Sequence, residues 1–169
     1  MYNGETTGIS ENMLVDKQLA KKPLSYEYIR GLTDGEGCFT FYPANFKKSN
    51  GDIVKRKIPA FAIRMHVRDM KLIEMVKETL ELGEKVHAFR AWRNDGYNRG
   101  DNAALIVRRL GDLKNIIVPF FYRKLKGYKG KQFLEWLENI GNDPLVAQDY
   151  KLIYRLYKCG YYDKNPKFD

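Results

Sequence analysis

The chain reads as an α+β fold with its elements in the order α-ββ-α-ββ-ααα, and three observations predict it. A helix-period stretch that opens at Ser25 ends at Asp34-Gly35-Glu36-Gly37 and runs without a linker into the β-prone, alternating run Cys38-Phe39-Thr40-Phe41-Tyr42. Two regions of period-two alternation, each interrupted by a turn-forming loop, lie on either side of one amphipathic helical stretch. Beyond about residue 112 the apolar residues recur only at helical spacing.

Each element has its own justification. Ser25 is a good N-cap, and Glu27 places negative charge in the first turn, where the helix macrodipole favours it. In the first strand Phe39 and Phe41 alternate with Thr40 and Tyr42, so one face goes to the core. The loop Lys47-Lys48-Ser49-Asn50-Gly51-Asp52 has turn chemistry. After it, Phe61, Ile63 and Met65 fall on one side of a second strand, with Ala60, Ala62, Arg64 and His66 on the other. Asp69 is placed to cap a helix in which Leu72, Ile73, Val76 and Leu80 recur, with Gly83 closing it. A second hairpin covers residues 85–93 and 103–109, joined by a polar loop of residues 94–102 that is too long for a tight turn. In that hairpin His87 alternates with Phe89 and is read as pointing inward. Helices then start near Asp112, near Lys131 with Phe133, Leu134, Trp136 and Leu137, and at Asp143-Pro144, an N-cap followed by proline at the first helical position. The tyrosines Tyr154, Tyr157, Tyr161 and Tyr162 have the spacing of a packing face.

Composition bounds the function. A chain of 169 residues, 44% of them hydrophobic, is enough for one core, and residues 21–169 read as a single domain behind a polar arm at residues 1–20. Thirty Lys and Arg against 21 Asp and Glu give a net charge of +9, which suits a polyanionic partner such as nucleic acid. Cys38 and Cys159 form no disulfide framework and read as reduced and structural. No apolar run approaches the ~20 residues of a membrane span, and the N-terminus lacks a signal pattern. The expectation is an intracellular protein, in a prokaryotic cytoplasm or an organelle matrix, with no membrane partner and no small-molecule cofactor.

The end of the first helix carries the chemistry. Its last carbonyls already hold roughly half an elementary negative charge, so the carboxylates of Asp34 and Glu36 deepen a field that a divalent cation relieves. Gly31 and Gly35 lie one turn apart on one face and leave a flat stripe where a second helix can approach closely.

Read in order, Ile29-Arg30-Gly31-Leu32-Thr33-Asp34-Gly35-Glu36-Gly37 resembles the LAGLIDADG signature of homing endonucleases. Arg30 and Thr33 depart from the small and aliphatic residues usual there, a matter of helix packing more than of chemistry. The resemblance spans about residues 24–160 and implies a LAGLIDADG fold: two hairpins in one curved four-stranded antiparallel sheet, helices on one face, the other face a saddle on duplex DNA. It implies a site-specific double-strand DNA endonuclease using Mg²⁺ or Mn²⁺, of intron-encoded or intein type. Protein-splicing signals are absent from the sequence, which favours a free-standing nuclease.

The motif occurs once, so the resemblance further implies a homodimer packed through Gly31, Leu32 and Gly35, acting on a long, near-palindromic target. Glu36 and the Gly35 carbonyl would hold the metal, with Asp34 as the other acidic position. A basic residue near the centre is sought in the run Lys124-Leu125-Lys126-Gly127-Tyr128-Lys129-Gly130-Lys131, where alignment to the following helix favours Lys129. Met65 falls where relatives carry a polar residue, and His66 or Arg68 is the substitute, His66 being named for catalysis. Base contacts are expected from Tyr42, Arg56, Arg64, Arg90 and Arg108, and backbone contacts from Lys47, Lys48, Arg93 and Arg99. An RNA-splicing maturase and a non-cleaving DNA-binding regulator are the alternatives, and the intact Glu36 favours cleavage over both.

Overall fold

The computed structural model describes residues 23–90, 100–164 and 167–169. Helix α1 (Tyr26–Glu36) opens on Ser25, whose side chain accepts a hydrogen bond from the Tyr28 amide at 3.2 Å. It buries Ile29, Arg30 and Thr33. Burying a guanidinium costs several kcal/mol unless its donors are satisfied. Arg30 meets that condition: Nε donates to the Phe120 carbonyl at 3.3 Å, Nη2 to the Phe168 carbonyl at 2.6 Å, and Nη1 to Glu27 at 2.7 Å. The Arg30 guanidinium also lies 4.8 Å from the centre of the Phe120 ring, so the departure from small motif residues ties α1 to the C-terminal end of the described chain.

Strands β1 (Gly37–Lys47) and β2 (Ile53–His66) form a long antiparallel hairpin, closed by a turn in which Lys48 and Asp52 are bonded and Gly51 takes φ +92°. After a 3₁₀ turn (Val67–Asp69) and helix α2 (Met70–Thr79), strands β3 (Val86–Phe89) and β4 (Asn102–Val107) complete a four-stranded sheet of order β1-β2-β4-β3 in which every neighbouring pair is antiparallel. Three helices follow. The first, α3, joins a helical start (Leu110–Asp112), a π-helical stretch (Leu113–Ile117) and a helical end (Val118–Phe121). The others are α4 (Lys129–Asn142) and α5 (Lys151–Lys158). The order α-ββ-α-ββ-ααα read from periodicity is the order found.

Register decides which face does what. Phe39, Phe61 and Val107 lie in one cross-strand row and Ile63, Leu105 and Val86 in the next, and these rows meet the helices. Phe39 packs within 4.8 to 5.6 Å, ring centre to ring centre, of Phe61, Phe121, Phe133 and Trp136. The Trp136 indole N–H, which would be costly to bury unpaired, donates to the Thr40 carbonyl at 2.9 Å. With the core satisfied on this side, the opposite face of the sheet is left for polar and cationic side chains. Among the described residues no helix is long and apolar enough to cross a membrane.

Several boundaries differ from the sequence expectations, for physical reasons. The last helix begins at Lys151, not at Asp143-Pro144: Asp143 accepts from the Leu145 amide at 2.8 Å and pairs with Lys57 at 2.6 Å, while Val146 bridges to Lys57, so this segment is a turn fastened to β2. Helix α2 closes at Glu81, with φ +55°, instead of at Gly83, because Leu80 and Leu82 are both drawn into the core. Asp69 precedes α2 but makes no side-chain capping bond. The second hairpin's strands are shorter than read, and residues 91–99 of its loop lie outside the described residues, as does the arm of residues 1–20. His87 pairs with Ala104 and is exposed on the outer face with Phe89, not turned inward. Cys38 and Cys159 are free thiols, both exposed.

Candidate active site and nucleic-acid interface

Helix α1 becomes strand β1 with nothing between them. The Gly37 amide donates to the Thr33 carbonyl, and a Cβ at Gly37 would lie 2.5 Å from Thr33 Cγ2 and 2.7 Å from that carbonyl oxygen, so only glycine fits. The junction leaves Glu36 exposed at the rim of the sheet, and among the described residues its carboxylate has no hydrogen-bond or ion-pair partner.

Asp34 sits about 200° away around the helix and is used differently. Its two oxygens accept the backbone amides of Lys126 and Gly127 at 3.0 and 3.1 Å, which clamps the loop before α4 against the motif helix. The lysines of that loop separate accordingly. Lys124 pairs with Asp169 at 2.7 Å, and Lys131 lies 3.9 Å from Glu135 and over the Tyr128 ring. Lys129 is half-buried in the first turn of α4. Lys126 is exposed, has no ion-pair partner among the described residues, and has its own amide anchored to Asp34. That contact spans 92 positions in the chain and was not readable from the lysine run.

The donor set at the motif fits a hard divalent cation. Glu36 offers carboxylate oxygens, and Gly35, exposed and with open space around it, has a last-turn carbonyl beyond the reach of helical pairing. Among the described residues no group of three His, Cys, Asp or Glu is placed to enclose a metal. His66 lies at the end of β2. Its Nδ1 accepts the Arg68 amide at 3.2 Å and caps the 3₁₀ turn, and its ring lies against Gly100. Met65 pairs with Ala103 and packs toward the core.

The outer face of the sheet collects three of the residues expected to face DNA. Arg64 Nη2 donates to the Tyr42 hydroxyl at 2.9 Å, and the Arg108 guanidinium lies 5.6 Å from the centre of the same tyrosine ring. Arg64 also stands 5.8 Å from the Phe89 ring centre. Arg56 lies opposite Ala44 farther along the hairpin, Arg90 is exposed just past β3, and Lys47 and Lys48 are exposed at the hairpin turn. Arg93 and Arg99 lie outside the described residues.

The family model of the LAGLIDADG endonuclease matches residues 29–140, more than half of the 169 residues. The chain belongs to the LAGLIDADG endonuclease family. Its fold is shared with solved structures. I-CpaMI, a LAGLIDADG meganuclease bound to uncleaved DNA, matches over 96% of this chain and 53% of its own, at 17% identity and a TM-score of 0.56. The I-SmaMI LAGLIDADG homing endonuclease bound to cleaved DNA matches over 80% and 43%, at 22% identity and a TM-score of 0.54. The homing endonuclease I-TnaI matches over 81% and 98%, at 19% identity and a TM-score of 0.50. The chain thus spans about half the length of I-CpaMI and I-SmaMI.

In this LAGLIDADG chain the Gly31/Gly35 face of α1 is open. A Cβ at Gly31 or Gly35 would meet nothing within 4 Å among the described residues, whereas Leu32 is half-buried against the protomer's own core. The outer face also has a support that the sequence did not reveal. Glu84 Oε1 accepts the amides of Arg108 and Arg109 at 3.2 and 3.1 Å, its Oε2 is buried without a hydrogen-bond partner among the described residues, and Asp112 Oδ2 accepts the neighbouring Gly83 amide at 3.3 Å. Burial, followed by the neighbouring Asp112 carboxyl, pushes the Glu84 carboxyl above the usual carboxylate range. A carboxyl whose folded pKa is raised contributes stability that is full below its unfolded pKa and lost as pH rises through the folded value. Glu84→Gln, which keeps an acceptor for the two amides and cannot ionise, is expected to raise stability at neutral pH and flatten its decline between acid and neutral pH, as read by urea unfolding across that range.

Proposed function

We propose that this chain is a metal-dependent, site-specific double-strand DNA endonuclease that works as a homodimer on a long, near-palindromic target. The observation that carries the reading is the unpartnered, exposed Glu36 carboxylate at the end of the motif helix, on the rim of a sheet whose outer face displays arginines with no carboxylate partner among the described residues.

In this reading the outer face of the sheet, Tyr42 included, lies in the major groove, with Arg56, Arg64, Arg90 and Arg108 toward base edges and Lys47 and Lys48 toward phosphates. Glu36 and the Gly35 carbonyl hold the divalent ion, Mg²⁺ or Mn²⁺, which activates water and neutralises charge on the scissile phosphate when bound. Asp34 is the clamp that sets the loop before α4, and through that loop Lys126 is positioned to donate to the phosphate or to order the attacking water. Lys126 therefore takes the central role that alignment to the helix start had favoured for Lys129. His66 serves as a structural cap in this reading, because its Nδ1 already accepts a backbone amide. Each chain supplies one Glu36, so cutting both strands takes two chains, joined along the Gly31/Gly35 stripe with Leu32 at its margin.

The reading is tested with a randomised duplex library incubated with Mg²⁺ or EDTA. Recurrent Mg²⁺-dependent double-strand ends within one sequence support it, and binding without cutting overturns it in favour of a maturase or a regulator. Glu36→Gln is expected to abolish cleavage of the recovered target while retaining binding in a gel-shift titration. Lys126→Met is expected to slow single-turnover cleavage by about 100-fold or more, and Lys129→Met by less than tenfold. Gly31→Leu, by filling the close helix approach, is expected to shift the sedimenting species from dimer to monomer, and an unchanged dimer would move the interface elsewhere.

A further inference from the structure

The outer face is organised around one side chain. The floor beside Arg64 and Arg108 is made of small residues: Thr40 pairs with Ala60, Cys38 with Ala62, and Ala104 with Arg64. Above it Tyr42 holds two guanidinium groups by two different contacts. Its hydroxyl accepts from Arg64 Nη2 at 2.9 Å, and its ring lies 5.6 Å from the Arg108 guanidinium. Arg64 is confined a second time by the Phe89 ring at 5.8 Å. Arg108 is confined through its backbone, whose amide donates to Glu84 at 3.2 Å and whose carbonyl accepts the Tyr150 hydroxyl at 2.6 Å.

Neither arginine has a carboxylate partner among the described residues, although cation and carboxylate pairs are formed elsewhere on the protein, as between Lys57 and Asp143, Arg123 and Asp163, and Lys124 and Asp169. Two cations gathered on one neutral tyrosine gain little from each other, and the arrangement suits acceptors brought by a ligand. Tyr42 uses one of the five N–H donors of Arg64 and leaves four, enough for a bidentate contact. The major-groove edge of guanine, with O6 and N7, is the acceptor pair that a fixed guanidinium fork matches. A phosphate contact needs charge but no such orientation, and an unrestrained arginine has rotamer entropy to lose.

We propose that Tyr42 is a positioning residue for sequence specificity: it sets Arg64 and Arg108 for two guanines in each half-site while contacting no base itself. The inference rests on the DNA-endonuclease reading above and adds to it the identity of two bases and the residue that governs them.

The test is the base preference at every target position, measured by sequencing duplexes bound from a randomised pool in EDTA, for the unmodified protein and for Arg64→Ala, Arg108→Ala, Tyr42→Phe and Tyr42→Phe combined with Arg64→Ala. The unmodified protein is expected to select guanine at two positions per half-site. Arg64→Ala should lower that preference about tenfold or more at one position, and Arg108→Ala at the other. Tyr42→Phe, which loses the hydroxyl and keeps the ring, should relax the Arg64 position alone and have no further effect when Arg64 is already alanine. Loss of affinity spread evenly over all positions, or a Tyr42→Phe effect that persists without Arg64, would overturn the proposal. If the unmodified protein selects a sequence lacking guanines that respond to either arginine, this inference fails alone. If it selects no sequence at all, the endonuclease reading fails with it.

Discussion

Everything at the site depends on a helix that turns into a strand with no intervening residue. A helix end normally releases its chain through a loop, in which a terminal carboxylate has freedom to move. Here the Gly37 amide is bonded to the Thr33 carbonyl while Gly37 itself already pairs with Ile63 in the sheet, so Glu36 is the last helical residue and the neighbour of the first strand residue at once. The absence of a side chain at Gly37 is what lets β1 leave over Thr33. Its consequence is a carboxylate whose position is set by two rigid elements and which is solvated without being mobile on a loop, the condition a reacting centre requires.

The same helix divides its chemistry between faces. Ile29, Arg30 and Thr33 turn inward, Gly31 and Gly35 outward, and Asp34 to the side where it takes two backbone amides of the loop before α4. Charge-assisted bonds of this kind are about twice as strong as neutral ones. They bring Lys126 to the motif by way of the backbone, and its ammonium has no ion-pair partner among the described residues. Arg30 does comparable work at the other end of the helix, joining Glu27, Phe120 and Phe168 and so fixing α1 against α3 and the C-terminal residues. The motif helix is thereby held from both sides before any second chain or DNA is considered.

Which parts were legible follows from sequence separation. The nonapeptide, its cap at Ser25, the inward alternation of Phe39, Phe61 and Ile63, and the order of elements are local patterns of period two or 3.6, and they were readable. The anchoring of the Lys126 amide depends on a contact with Asp34 across 92 positions, and Arg30 reaches Phe168 across 138. No local pattern carries such information. Asp143-Pro144 was misread for a related reason: an N-cap signature is also an Asx-turn signature, and the pairing of Asp143 with Lys57 decided between them. His87 was misplaced because a four-residue edge strand offers too few alternations to tell which face is inner.

The net charge of +9 likewise acquires meaning only from its distribution. Around the helical side basic residues are matched: Lys57 with Asp143, Arg123 with Asp163, Lys124 with Asp169, Lys158 with Glu138. On the outer face of the sheet they are matched to an aromatic ring and a hydroxyl instead. An ion pair there would neutralise the face, would have to be broken before DNA could bind, and would still contribute only about 0 to 1 kcal/mol while it lasted. A tyrosine restrains the same guanidinium groups without cancelling their charge, and in the proposed DNA reading it need not be displaced when a base edge arrives. Glu84 respects the same requirement, since it supports Arg108 through the backbone amide and leaves the side chain its full charge. Rigidity in this surface therefore comes from neutral groups and from the backbone, and the electrostatic attraction is kept for the ligand.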